Sequence, residues 1–347
     1  MDTRETPEQA ELRRTARQLV RELGPHAVAD LGDAKRNARL AESVRDAGWL
    51  ELRHEGDEGR PLASGVEAAL ITEALAESVA DVPFAGPVLA ADLARRAGVQ
   101  WMDGAVVAFA ADLVGPAVTR SGFVDDVVYA VDAVAAGPTT AYVLASEGDL
   151  YRLACVPVAD AGSGADLTRA VREIPVGTPC LPVAGQSRLL DRVDVDAWVA
   201  LGLALTSADL VGLMRGVIEA SVVYARVRKQ YGVAIGSFQA VQHLIADAHT
   251  LAEGAQSAAA YAAWAVDALA PEEARAAGRV AKAYCARAAR TVCETAVQVH
   301  GGIGNTWDCM VHVHLRRALL SSRWFGDDGE MLRQLEHVRL GVTHGLP

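Results

Sequence analysis

The sequence has little cysteine, no long uninterrupted apolar run and no metal-ligand spacing. Its five cysteines form an odd, scattered set without C-x-x-C spacing, so we expect reduced thiols: Cys155, Cys180, Cys285, Cys293 and Cys309. No stretch reaches the eighteen or so consecutive apolar residues of a membrane span. The first residues, M-D-T-R-E, are polar and lack the apolar core of a secretory signal. A cytoplasmic protein without a membrane partner is predicted.

Positive charge is also in short supply. The 347 residues include 33 Lys and Arg against 44 Asp and Glu, a net charge of −11. This balance argues against nucleic acid as a partner, because phosphate backbones require a basic surface. A local basic group, Arg226, Arg228 and Lys229, could still hold an anionic cofactor. His312 and His314 lie two apart on a predicted helix and would point to different faces, so no metal site is predicted.

The chain is long enough for two or three structural units. Thr6, Pro7 and Gln9 form a capping box with proline at the first helical position, which predicts a helix to about residue 23. Further helical patterns cover 34–47, 65–78 and 87–97. Short β-favouring runs then follow at 105–111, 126–134, 140–146, 150–158, 172–176 and 188–193.

The sequence is helical again from residue 194, at 198–229, 238–268, 271–299, 306–325 and 330–339. We therefore predict a mostly α, α+β fold with an N-terminal helical domain (1–103), a small middle β-barrel or sandwich domain (104–193) and a C-terminal four-helix bundle (194–347). Ligand sites are expected between the helices of the bundle and between subunits.

The segment 226–242, RVRKQYGVAIGSFQAVQ, predicts a helix–loop–helix junction. Gly232 and Gly236 bracket the loop, and Ser237 is the predicted N-cap of the next helix. The junction places the Arg228 guanidinium and the Gln230 amide near a helix N-terminus, a combination that suits a phosphate or pyrophosphate. Without further information, a plain helix–helix connection is the simpler interpretation.

Two motif blocks resemble the acyl-CoA dehydrogenase family. The junction contains R-K-Q-Y-G-x-x-I-x-x-F-Q, similar to the family's R-x-x-F-G-x-x-I-x-x-F-Q, and Q-V-H-G-G-I-G over 298–304 is similar to its Q-x-x-G-G-x-G. The blocks lie about 70 residues apart in the expected order, with helical sequence between them. The resemblance implies FAD as cofactor, its pyrophosphate and adenosine held across a subunit interface. It assigns these contacts to Arg228, Gln230, Tyr231, Ile235, Phe238, Gln239, Gln298, Gly301, Gly302 and Gly304.

The resemblance also implies a reaction, the α,β-desaturation of an acyl-CoA thioester. In the family a glutamate removes the α-proton while the β-hydrogen leaves as hydride to the flavin. Gap-free counting from Gly301 places that base at Phe325, which cannot accept a proton. A second family base position falls near Gly202, and no Asp or Glu occurs over 197–208. The family's flavin-contacting T-E-P-x-x-G-S-D stretch has no match, and the glycine-containing segment 161–166 is interpreted as a surface turn.

The pattern of kept and missing features predicts a non-catalytic subunit. Within the family, such chains assemble with a homologous catalytic subunit as α2β2 and act on bulky, often sterol-derived, CoA esters. Two alternatives stay open. The chain could be a self-sufficient dehydrogenase that uses Asp327, Asp328 or Glu330 as its base, or a flavin-free scaffold that binds acyl-CoA.

Overall fold

A computed structural model describes residues 5–134, 139–159 and 164–340. Of the segment interpreted as a surface turn, residues 161–163 lie outside these ranges. Its last residue, Asp166, is only 7% exposed. Gly164 and Ala165 are exposed, as the turn interpretation expects, and the chain passes into the interior at Asp166.

The chain begins with helices at nearly the predicted positions. The capping box that opens α1 is confirmed, because the Gln9 backbone N–H donates to Thr6 Oγ1 at 3.2 Å and the Thr6 N–H donates to Gln9 Oε1 at 3.1 Å. The four helices of this region are α1 Pro7–Leu23, α2 Ala34–Asp46, α3 Gly65–Glu77 and α4 Ala85–Arg96.

The middle of the chain forms a mixed sheet in the order β6-β3-β1-β4-β5-β7, with β2 paired to β4. Its strands are β1 Val106–Ala110, β2 Val118–Thr119, β3 Val128–Ala133, β4 Thr139–Glu147, β5 Leu150–Val158, β6 Ala170–Ile174 and β7 Leu181–Pro182. The strand predicted at 188–193 is wrong. Leu190 forms one isolated bridge with Tyr151, and Asp191 caps a helix that begins at Arg192 by accepting the Asp194 N–H at 2.9 Å. A capping box here overrides the β propensity of the preceding residues.

The last part of the chain is the predicted helical bundle. Its elements are α5 Arg192–Val227, a short hairpin of β8 Lys229–Gln230 and β9 Val233–Ala234, α6 Gln239–Ala268, α7 Pro271–His300, α8 Val311–Arg323 and α9 Asp328–Leu340. Helix α5 is long and apolar enough to cross a membrane, but 94% of its most apolar window is buried inside the fold. It is therefore the central core helix, and it contacts α3, α6 and α7 extensively.

Two glycines let α5 cross α3 closely. A Cβ at Gly212 would lie 2.2 Å from the Glu73 carbonyl oxygen, and one at Gly216 would lie 1.9 Å from the Glu77 carbonyl oxygen. No side chain fits in that space, so the lower helix propensity of glycine is accepted for close helix packing. At this crossing the N-terminal helices and the bundle are in direct backbone contact.

A buried ion cluster joins the sheet to the bundle. Asp209 of α5 is 1% exposed and accepts hydrogen bonds from Arg169 at 3.0 Å, from Arg317 at 2.6 Å and from Ser321 Oγ at 2.6 Å. Burial alone would raise the pKa of Asp209, but the two guanidinium groups outweigh it and hold the pKa far below its ordinary value. Arg169 also pairs with Asp132 of β3 at 3.1 Å. The two guanidinium groups and the two carboxylates of the cluster neutralise one another, as buried ions require.

A second ion cluster joins the N-terminal helices to the end of α6. The fully buried Arg53 donates to Asp92 of α4 at 3.1 Å and to Asp267 at 3.2 Å. Asp267 in turn accepts the backbone N–H of Gly65, at the start of α3, at 2.6 Å. One arginine therefore fixes three helix ends together.

We predict that Asp209→Asn destabilises the fold by about 3–5 kcal/mol, because it leaves two buried guanidinium groups under-compensated. Urea unfolding at neutral pH measures this loss. The matched control is Asp149→Asn, an exposed carboxyl in the turn between β4 and β5, which should change stability by less than about 0.5 kcal/mol.

The pH dependence gives a second measurement of the same cluster. Since the pKa of Asp209 is lower in the folded than in the unfolded protein, its contribution is complete above about pH 4 and decreases as the pH falls below that value. The difference in unfolding free energy between wild type and Asp209→Asn should therefore shrink in acid. A difference that stays constant down to the acid transition would contradict the assignment.

Candidate functional site

The first motif block lies at the solvent-exposed end of the bundle, where α5 stops. The Arg228 backbone N–H closes the helix by donating to the Tyr224 carbonyl at 2.9 Å, and the Arg228 carbonyl accepts the Ile235 N–H at 2.8 Å. Between them, Tyr231 and Gly232 form the two-residue turn of the β8–β9 hairpin with φ of 51° and 85°. Both positive values are typical of a type I′ turn, in which a tyrosine is strained.

The predicted N-cap, Ser237, is wrong. Helix α6 begins at Gln239, so Phe238 occupies the cap position and makes no side-chain capping bond. The Ser237 hydroxyl instead donates to the Ala234 carbonyl at 2.7 Å, because the preceding 3₁₀ turn Ile235–Ser237 brings that acceptor close. The N-terminus of α6 therefore has no side-chain cap and presents backbone donors to solvent.

The second motif block ends α7. The helix stops at His300, and Gly301 follows with φ of 64°, which confirms the predicted helix stop. A Cβ built at Gly301 or Gly302 would meet nothing within 4 Å, whereas one at Gly304 would lie 3.1 Å from His300 Cβ and from the Val297 carbonyl oxygen. The first two glycines therefore leave open backbone at the surface, and Gly304 is a packing position.

The structure brings the two blocks together through a ring pair that the sequence reasoning missed. Tyr224, one turn before Arg228, stacks on His300, two residues after Gln298, with ring centroids 4.3 Å apart and planes inclined by 18°. The Tyr224 hydroxyl lies 3.5 Å from the His300 carbonyl oxygen. The two residues are 76 apart in sequence, so only the packing of α5 on α7 shows their contact.

Most of the predicted contact residues are exposed at this end of the bundle. Arg228, Gln230, Gln239 and Gln298 are exposed, and the Arg228 guanidinium has no hydrogen-bond or ion-pair partner within the part of the chain that the structure describes. Guanidinium and amide donors, the uncapped start of α6 and unobstructed glycine backbone are the groups that a pyrophosphate requires. Ile235 is half-buried and supports the hairpin.

Exposed aromatic side chains border this surface. Tyr231 is 94% exposed and Phe238 is 37% exposed, and their rings meet edge to face at 6.4 Å. Trp307, which follows the glycine block, is 64% exposed. Large exposed aromatic rings, such as the Tyr231–Phe238 pair, are typical of an interaction site.

The predicted base position lies elsewhere, inside the fold. Phe325 is 1% exposed and packs among Phe109, Trp198 and Trp324, with ring centroids 5.0–5.9 Å from its own. A Cβ at Gly202 would lie 2.0 Å from the tip of the Phe325 ring. The two positions predicted from the sequence as alternative base sites are therefore in direct contact, and a benzyl ring fills the space that a side chain at either one would enter.

Backbone contacts hold Phe325 in place. Its N–H donates to the Leu113 carbonyl, in the turn after β1, at 2.8 Å. Its φ of 66° is unfavourable for a residue with a side chain. The buried Lys282 ammonium donates to the Trp324 carbonyl at 2.7 Å, and burial lowers the pKa of that lysine to about 7. Packing and hydrogen bonds together fix the ring over Gly202.

The three alternative carboxylates are engaged at the surface beyond this ring. Asp327 Oδ1 accepts the Glu330 N–H at 2.8 Å, at the start of α9. Asp328 lies 3.4 Å from Arg287. Hydrogen bonds from Gln334 and Arg333 lower the pKa of Glu330, which is the opposite of what a general base at neutral pH needs.

The two histidines considered for a metal site have separate surroundings. His312 meets the Trp307 ring edge to face at 5.2 Å. His314 places Nδ1 at 3.0 Å from the Met310 carbonyl oxygen and Nε2 at 3.5 Å from the Glu77 carbonyl oxygen. The described residues contain no group of three or more His, Cys, Asp or Glu arranged to hold a metal ion.

Comparison with known proteins shows similarity to acyl-CoA dehydrogenases. Residues 201–338 match the family model described as "Acyl-CoA dehydrogenase, C-terminal domain", a region that includes both motif blocks. The acyl-CoA dehydrogenase IpdE2 of Mycobacterium tuberculosis is 29% identical over 336 residues, which cover 94% of this chain and 95% of IpdE2. The acyl-CoA dehydrogenase FadE34 of the same organism is 38% identical over 149 residues, 41% of this chain, but the match spans only 21% of FadE34.

Solved structures share the fold. The ChsE4–ChsE5 complex from Mycobacterium tuberculosis contains a chain that matches with a TM-score of 0.75 at 22% identity, covering 99% of this chain and 100% of that one. At this identity the likeness shows the fold alone. It confirms the predicted α+β architecture of helices, small sheet and helical bundle.

We predict that Gly202→Ala destabilises the protein by about 1–3 kcal/mol, because the new methyl group overlaps the Phe325 ring. In the double variant Gly202→Ala, Phe325→Ala the methyl group has room. The loss of unfolding free energy should therefore be smaller than the sum of the losses in the two single variants. Thermal or urea unfolding measures all three. Gly329→Ala in α9, where a Cβ comes no nearer than 3.4 Å to another atom, is the control and should be neutral or stabilising. Simple additivity would show that the two positions are not in contact.

Proposed function

We propose that this chain, whose residues 201–338 match the C-terminal domain of the acyl-CoA dehydrogenase family, is the non-catalytic subunit of a two-chain, FAD-dependent acyl-CoA dehydrogenase. The family consists of flavoprotein oxidoreductases that act on CH–CH bonds. In the proposed assembly this chain supplies the pyrophosphate and adenosine site, and a homologous partner supplies the flavin pocket and the base.

The observation that carries the proposal is the contact between Phe325 and Gly202. A carboxylate at either position would approach the same point, and a substrate α-carbon would have to reach that point for proton abstraction. Here the point is occupied by a buried ring that offers no basic atom. The missing base is thus accompanied by a filled pocket, so we infer that this chain's own acyl site is closed.

The exposed end of the bundle supports the other half of the proposal. Arg228 has no intramolecular partner in the described part of the chain, and Gly301 and Gly302 leave open backbone at the end of α7. Bound FAD would accept the β-hydrogen as hydride. This chain's contribution would be to bind the pyrophosphate through Arg228 and the start of α6, and to cover the adenosine with the hairpin and the glycine turn.

A neighbour of the same fold suggests how the chain assembles. The ChsE4–ChsE5 structure is a complex of two named proteins, and we propose an equivalent α2β2 pairing here, in the cytoplasm, with a bulky acyl-CoA as substrate. We also propose the division of this chain at about residues 103 and 193 into the three predicted domains. The substrate and the partner follow from analogy, so purification of the chain with and without a homologous partner is the first test.

Two alternatives predict different results in that purification. A self-sufficient dehydrogenase would carry flavin and turn over acyl-CoA alone, with Asp327, Asp328 or Glu330 as its base. The surface contacts of these three carboxylates disfavour that reading. A flavin-free scaffold would stay colourless with every homologous partner, and the unpaired Arg228 disfavours that.

We predict that Arg228→Ala weakens FAD retention by the complex about ten- to a hundredfold, because a charge-assisted guanidinium–phosphate interaction contributes about 1.5–3 kcal/mol. FAD dissociation followed by flavin fluorescence measures the change. Arg290→Ala, which removes an exposed arginine of α7 outside both motif blocks, is the matched control and should change retention by less than threefold. Equal retention in wild type and Arg228→Ala would remove Arg228 from the site.

We predict that Phe325→Ala leaves the turnover of the complex within about tenfold of wild type, whereas replacing the partner's catalytic glutamate abolishes it. The reason is that only the partner's pocket performs the chemical step. Because loss of a buried ring costs about 3–5 kcal/mol of stability, Phe325→Leu is tested beside it and assembly is confirmed first.

The reverse substitution completes this test. Phe325→Glu in the isolated chain should produce no dehydrogenation, since the flavin-contacting stretch of the middle domain is also missing. Turnover by isolated Phe325→Glu, or a loss of several orders of magnitude in a folded and assembled Phe325→Leu complex, would place catalysis in this chain and overturn the proposal.

A further inference from the structure

A stacked ring pair lies beneath the exposed cofactor surface. Arg228 directly follows the end of α5, four residues after Tyr224, and the Tyr224 ring stacks on His300 at 4.3 Å. The position of Gly304 lies against His300 in turn, with 3.1 Å between a Cβ built there and His300 Cβ. The ring pair therefore joins the end of α5, just before the first motif block, to the end of α7, where the glycine turn of the second block begins.

We propose that the Tyr224–His300 stack is a positioning element that sets the spacing between Arg228 and the glycine turn, and so sets the affinity for the adenosine–pyrophosphate half of FAD. This inference rests on the proposed function of the chain. In this proposal neither ring contacts the cofactor itself. They act through Arg228 and through the backbone of Gly301 and Gly302.

The geometry of His300 supports a fixed, rigid role. Its Nδ1 lies 2.9 Å from the Ala296 carbonyl oxygen, so Nδ1 carries the proton and donates to that carbonyl. The side chain is 8% exposed, and burial lowers its pKa despite that hydrogen bond, which favours the neutral ring at pH 7. A neutral imidazole held by a backbone carbonyl has one orientation, and the tyrosine ring lies nearly parallel to it.

The position of the stack explains why it matters for a surface site. Arg228 and Gln298 are exposed, and neither has a side-chain partner that would orient it within the described part of the chain. Their backbones are instead fixed relative to each other where α5 packs on α7, and the ring pair lies in the last turn of α5 and at the last residue of α7. Preorganisation of this kind raises affinity by reducing the cost of ordering the site.

The test measures binding of FAD and of ADP to the assembled complex by titration calorimetry. ADP contains the adenosine and pyrophosphate without the flavin. We expect Tyr224→Ala to weaken the binding of both ligands about three- to tenfold, the range that loss of an aromatic pair implies. Tyr224→Phe keeps the ring and should bind both ligands within twofold of wild type. Tyr261→Ala, which breaks a ring pair with Trp264 on α6, is the matched control and should have no effect.

A double variant separates positioning from general stability. If Tyr224 acts through Arg228, adding Tyr224→Ala to the Arg228→Ala variant should weaken ADP binding by less than a further twofold. Full additivity of the two losses overturns the inference, as does a Tyr224→Phe complex that is as weak as Tyr224→Ala. Unchanged affinity in an assembled Tyr224→Ala complex overturns it as well. Tyr224→Leu, which keeps the apolar volume without a ring, replaces Tyr224→Ala if the latter does not assemble.

Failure of the inference differs from failure of the proposed function. A wild-type complex that binds neither FAD nor ADP contradicts the proposed function itself. A wild-type complex that binds both, with affinities that do not respond to the Tyr224 substitutions, contradicts only the positioning role.

Discussion

The ion pairs of the buried Asp209 carboxylate are the interactions on which the arrangement of the N-terminal helices, the sheet and the bundle depends. It holds Arg169, which enters from the sheet, and Arg317, which enters from α8 and also donates to the Ala80 carbonyl at 2.7 Å. The Arg169 guanidinium lies 5.1 Å from the centroid of the Trp324 ring, so the cluster borders the aromatic group around Phe325. Each charge is expensive to bury alone, and the network therefore specifies one relative placement of sheet and helices.

That placement determines what the interior can do. Phe325 lies at the end of α8 and Gly202 in α5, the helix that also carries Asp209. A ring tip 2.0 Å from a built Cβ means that the pair is complementary, since Phe325 requires glycine at 202 and glycine at 202 would leave a void without the ring. The strained φ of Phe325 is maintained by its hydrogen bond to Leu113 and by aromatic packing. The base position is therefore occupied by a well-packed core rather than left vacant.

Local signals in the sequence predicted much of the fold, including the helix ends at which both motif blocks lie. The Thr6 capping box, the helical periods and the Gly301 helix stop depend on residues within one or two turns, and these predictions are confirmed. The prediction of Ser237 as an N-cap was wrong because a 3₁₀ turn precedes α6. The prediction of a strand at 188–193 was wrong because Asp191 caps the start of α5. Long-range pairs such as Tyr224 with His300 had no local signal, because their contact depends on how α5 packs against α7.

The two sites of the chain differ in how complete each one is. The interior around Phe325 is closed by aromatic packing and by backbone hydrogen bonds from within the chain, and only the buried Trp324 Nε1 of that aromatic group has no partner among the described residues. The bundle end is open, with a strained and 94% exposed Tyr231, an unpaired Arg228 in the described structure, and an uncapped helix start. A strained turn and an exposed aromatic pair lower the stability of an isolated chain. Their presence on a chain whose own pocket is filled is consistent with a surface that becomes complete only when a cofactor and a second subunit cover it.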